Sequence, residues 1–190
     1  MSDRRLKSVL LLTGVVLSAL VFLGWTQQWF SVVLAEGPVL AVGGDKAAPA
    51  LSTLALTSLV LIGALSIAGP FFRVVLGVLE SLLGVTVVLS GAIALANPVT
   101  ASGAVITDAT GVAGTDNLAA QVATVSIAFW PWISTIAGAL LVLAGLAVVL
   151  TSRRWPGSSR KYSAVRLEPV GDDPVADWDA QSHGEDPTSR

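Results

Sequence analysis

The sequence predicts an all-α integral membrane protein, a four-transmembrane-helix bundle carrying a small extracytoplasmic β-cap. Three observations predict it. Of the 190 residues, 53% are hydrophobic and 13% charged, where a soluble domain carries roughly a quarter charged residues; mean hydropathy is +0.75. Four charge-poor apolar runs, at 8–25, 51–68, 72–95 and 132–151, approach the ~20 residues that a hydrocarbon core about 30 Å thick requires. Basic residues gather in alternate connections: Arg4, Arg5 and Lys7 before the first run, Arg73 after the second, then Arg153, Arg154, Arg160 and Lys161 after the fourth. The long connections 26–50 and 97–131 hold one base, Lys46, against Glu36, Asp45, Asp108 and Asp116. By the positive-inside rule both termini are cytoplasmic, and the long connections face outward.

The N-terminal segment 1–7 is short and basic. The first span, SVLLLTGVVLSALVFLGW, reads as a retained anchor: the small-residue stretch at 33–35 lies too far beyond the apolar run for signal cleavage. Trp25 and Trp29 close this span, and Trp130 and Trp132 open the fourth, as tryptophans seated at the outer headgroup level do. In the connection, 29–34 and 39–42 are apolar and β-branched around Ala35-Glu36-Gly37-Pro38, the pattern of a hairpin. The second long connection, NPVTASGAVITDATGVAGTDN, reads as irregular. Segment 121–128 has strand-like residues that either pair with the hairpin to complete a three-stranded cap or, from 118, extend the fourth helix.

Inside the spans, small residues recur at helical spacing: Gly14 and Ser18; Gly77, Ser81, Gly84 and Gly91; Ser134, Gly138 and Gly145. Small side chains let helix backbones approach closely, so these mark the contact faces. Glu80 is the candidate intramembrane polar site. It shares the glycine-lined face of the third span, about 12 Å along the helix from residue 72 at 1.5 Å per residue. A lone carboxylate there costs a few kcal/mol. No Lys, Arg or His lies deep in a span to pair with it, so protonation and a hydrogen bond to a neighbouring hydroxyl or carbonyl is the cheaper state.

The tail 152–190 opens with the basic cluster and then turns acidic and proline-punctuated, which predicts disorder. Asp177, Trp178 and Asp179 stand out within it as a candidate docking motif for a cytoplasmic protein partner. The other partners the sequence implies are the lipid bilayer and a second copy in a homo-oligomer. A net charge of −2 gives no case for nucleic acid. With no cysteine and a single histidine, His183, no metal, cofactor or catalytic residues are assigned.

Several segments together resemble the tryptophan-biosynthesis-associated membrane protein family of high-GC Gram-positive bacteria. They are WTQQWF at the end of the first span, GGDKAAPALSTLAL entering the second, WPW opening the fourth, RRWPGSSRKY after it, and DWDAQSHGEDPT in the tail. The resemblance covers most of the chain and implies a plasma-membrane protein linked to tryptophan biosynthesis. It supplies no catalytic residues. The expectation is a non-enzymatic accessory or regulatory protein acting by contact. Its alternatives are a small transporter or exporter of tryptophan or a related indole using Glu80, and an interaction module built on the β-cap.

Overall fold

The computed structural model describes residues 3–155. Four long helices dominate: α1 (Asp3–Thr26), α3 (Ala50–Ile67), α4 (Pro70–Ala96) and α8 (Trp130–Thr151). Each is long and apolar enough to cross a membrane. Their boundaries contain or lie within a residue or two of the four predicted runs. Between α1 and α3 come strands β1 (Gln28–Leu34) and β2 (Val39–Gly43) and one helical turn, α2 (Gly44–Ala47). Between α4 and α8 come α5 (Pro98–Ala101), α6 (Gly103–Thr110), α7 (Thr115–Gln121) and strand β3 (Val122–Ile127). The chain runs up, down, up and down. Its start, the 68–69 turn and the exit of α8 therefore share one end of the bundle, the terminal end, and the strands sit at the other, the cap end.

Proline and glycine set the punctuation. Pro70 and Pro131 stand in the first turns of α4 and α8, where no intrahelical N–H is missed. Gly111, at φ 71°, closes α6 in the left-handed conformation that a side chain resists.

The β-branched pattern of 29–34 and 39–42 does form a hairpin, and 122–127 is a strand rather than an extension of α8. The sheet order is β2-β1-β3, antiparallel throughout, with Ser31 opposite Ala41 on one side and Ser126 on the other. Phe30, Val32 and Val42 share one face and are wholly buried. The segment 97–117, expected to be irregular, instead forms α5, α6 and the start of α7. Its composition concealed its anchor: Ile106, with Leu118 just beyond, is buried in the same core as Phe30 and Val32.

Among the described elements, α4 and α8 form the most extensive pair. A Cβ on Gly84 would stand 2.7 Å from Val142 N and 2.9 Å from Gly138 O; one on Gly145 would stand 2.7 Å from both Gly77 O and Ser81 N. Side chains cannot fit in that interface, so these glycines set the helix separation. The α1–α3 pair uses Gly14, against which Ile62 packs, and the α1–α8 pair uses Gly24, against which Ser134 packs.

Candidate functional site

Glu80 lies in α4 with 2% of its surface exposed. Its helix face, shared with Gly77 and Gly84, turns it into the bundle. Ser58 Oγ of α3 lies 2.5 Å from Glu80 Oε1 as donor, Ser18 Oγ of α1 lies 2.6 Å from Ser58 Oγ, and Ser18 Oγ reaches Gly14 O at 2.8 Å. Ser18 and Ser58 are as buried as Glu80. A single polar chain therefore crosses three helices and ends on a backbone carbonyl.

Three contacts need three hydrogens, and the two hydroxyls bring two. With the carboxylate ionised, Ser58 donates to Glu80 and Ser18 serves either Ser58 or Gly14 O, leaving one contact unmade. A carboxyl that keeps its proton and donates it to Ser58 fills all three. Glu80 Oε2 is buried with no hydrogen-bond partner among the described residues. The site can thus hold a proton and tie helices together. Sequence reasoning found Glu80 but not its partners. Ser18 stood out only as a small packing residue and Ser58 not at all, although a serine facing inward at the depth of a lone acid is the signal.

A second cluster closes the terminal end. Trp155, just past the 3₁₀ turn Ser152–Arg154, is 4% exposed and its Nε1 donates to Thr151 Oγ1 at 3.2 Å. Arg73 of α4 is buried beneath it, with Cζ 5.4 Å from the ring centroid and Nη1 donating to Trp155 O at 3.3 Å. Lys7 of α1 sits 5.9 Å from the same ring and donates to Ser66 O of α3 at 2.7 Å. Cation–π contacts contribute ~0.5–2 kcal/mol each, more when desolvated. All four long helices meet here. Arg73 reads in the sequence as a topology charge; in the fold it forms an internal tie with Trp155.

The four tryptophans expected at the headgroup level divide. Trp132 is 55% exposed on the outside of α8. Trp25 and Trp130 are half-buried, leaning on Phe22 and Phe129 at 5.6 and 4.7 Å between centroids. Trp29 exposes nothing: its Nε1 donates to Gly24 O at 2.7 Å, and its ring packs in the core with Phe30 and Val32. Asp177, Trp178 and Asp179 lie outside the described residues, as does the rest of the tail beyond 155.

Among the described residues no group of three or more His, Cys, Asp or Glu is arranged to hold a metal ion. No curated protein and no solved structure matches the chain. Residues 9–188 match the family described as tryptophan-associated transmembrane protein. That match spans the four helices, the cap and the tail, and the chain is a multi-pass member of the tryptophan-associated transmembrane protein family.

Proposed function

We propose that this protein is a non-enzymatic accessory of tryptophan biosynthesis in the plasma membrane, with both termini cytoplasmic, and that it acts by contact. On this reading the bundle is a mount and the C-terminal segment is the working part. The observation that carries it is the tie at the terminal end. Trp155 is the last described residue before that segment, and Lys7, Arg73 and Thr151 hold it against the bundle. Tethering at a clamped point keeps whatever follows within reach of a partner at the membrane, which raises the effective concentration for binding there. The basic pairs Arg153-Arg154 and Arg160-Lys161 add attraction of about 1 kcal/mol per charge to anionic lipid. Asp177-Trp178-Asp179 offers an aromatic anchor within an acidic stretch, the kind of residue that dominates binding when buried by a partner.

Crosslinking in native membranes followed by affinity capture tests the proposal. Wild type should recover a cytoplasmic protein that Trp178→Ala loses, while both chains insert to the same level. Equal recovery by the two would remove tail docking as the mechanism.

A further inference from the structure

We infer that the seam between α3 and α4 is a groove for a lipid with an uncharged, hydrogen-bonding headgroup, seated with that headgroup toward the cap. Of the four neighbouring pairs around the bundle, α3 and α4 make the least extensive contact. Two cavities open along this seam. One, of about 520 Å³, lies at the cap end and is lined by Ala50 of α3, Ser90, Ile93, Ala94 and Asn97 of α4, and Thr100 of α5, with alanines and a proline completing the wall. The other, of about 240 Å³, lies lower, between Thr57 and Leu61 of α3 and Leu79, Leu82, Leu83 and Thr86 of α4.

The α4 positions lining both, 79, 82, 83, 86, 90, 93, 94 and 97, step by three or four and so form one helix face. At 1.5 Å per residue that face runs about 27 Å, a length that an extended acyl chain and its headgroup can follow. The α3 positions 50, 57 and 61 line its opposite wall by the same spacing.

Polarity changes along the groove. In its lower part Thr57 and Thr86 turn their hydroxyls back onto Thr53 O and Leu82 O, at 2.7 and 2.9 Å, and present methyl groups and leucines. At the cap end the side chains of Ser90, Asn97 and Thr100 make no hydrogen bond to any described residue. No charged residue lines either cavity. A phosphate headgroup seated in the groove would meet no base in its lining, Lys46 lying just outside it beside Ala47. A transmembrane helix, whose backbone is satisfied internally, would cover those three polar side chains without pairing them. A hydroxylated, neutral headgroup pairs with them while its chain fills the leucine-lined part.

The probe is a nanodisc holding equal amounts of a glucosyl-diacylglycerol and a phosphatidylglycerol with identical acyl chains, read by native mass spectrometry of lipids retained on the full-length protein. Wild type should retain the glucosyl lipid about fivefold over the phosphatidylglycerol, the ratio that one net hydrogen bond supplies. Ala50→Leu, which fills the upper cavity from an exposed position, and Asn97→Leu, which removes a headgroup partner, should bring the ratio to about one. Equal retention by wild type overturns the inference without reference to any variant. So does a ratio that both variants leave unchanged, or a lipid-free dimer, which would give the groove to a second copy. None of these outcomes bears on tail docking, which is read separately.

Discussion

Glu80 is held by hydroxyls alone. Ser58 is its partner and Ser18 the next link, so the side chain's contribution to the fold rests on hydrogen bonding and not on an ion pair. Two substitutions separate polar glue from a working charge. Glu80→Gln keeps an amide able both to donate to Ser58 and to accept from it. Thermal unfolding in detergent should leave this variant within about 0.5 kcal/mol of wild type, whereas Glu80→Leu should lose about 1–3 kcal/mol through the broken chain. If Gln destabilises as much as Leu, the charge itself is needed. The transporter alternative makes a further demand of the same variant: Glu80→Gln must change proton-linked tryptophan flux in sealed vesicles, and glue alone leaves flux unaltered. The acid was legible in the sequence because one ionisable residue deep in a span is conspicuous. Its serines were not, because which hydroxyl meets an acid across a helix pair depends on helix rotation, and the narrow small-residue faces constrain that only loosely. The contact of Trp155 with Arg73 was not legible for a related reason: an aromatic just past a span signals its depth, whereas its packing partner depends on how the helices rotate.

At the level of the elements, the glycines seven apart in α4 and α8 marked contact faces, and the fold packs those two faces on each other in its most extensive helix pair. Their importance is set by what surrounds each missing Cβ. At Gly84 the neighbours within 3 Å include the backbone of α8, which cannot move without the whole helix. Gly84→Leu should therefore destabilise by at least the ~1–3 kcal/mol typical of overpacking, read as a fall in detergent melting temperature. Gly63, in α3, is the control, since a Cβ there meets nothing within 4 Å. Gly63→Ala should match or exceed wild-type stability, because alanine gains up to ~1 kcal/mol over glycine in a helix interior. A loss at Gly63 equal to that at Gly84 would mean that general helix effects, not the close approach, govern both. Element type was well signalled where periodicity was strong, as in the spans and the hairpin. It failed over 97–117, where Gly, Ala, Thr and Asp suggested loop. There the helices are turned by a few buried residues, Ile106 and Leu118, whose destination in the cap core is a long-range fact that no local window contains.

For the molecule as a whole, the up-and-down path places Lys7, Arg73 and Arg153 at one end and leaves Lys46 as the single base in the connections 27–49 and 97–129 at the other. Translocating Lys or Arg in short connections is disfavoured, and this asymmetry is what supports the proposal that the terminal end is cytoplasmic and the sheet outside. The tail's proposed docking role depends on that assignment, since a cytoplasmic partner cannot reach a tail on the far side. The sequence has no cysteine, so one introduced thiol reports its side of the membrane without background. Glu36→Cys sits in the exposed turn between β1 and β2, and Asp186→Cys lies in the tail. A membrane-impermeant maleimide added to intact cells should label the first and reach the second only after permeabilisation. The opposite pattern would put the cap inside and the acidic tail outside. The terminal tie and the lipid groove would survive that result, because both are properties of the bundle; recruitment of a cytoplasmic partner through Trp178 would not.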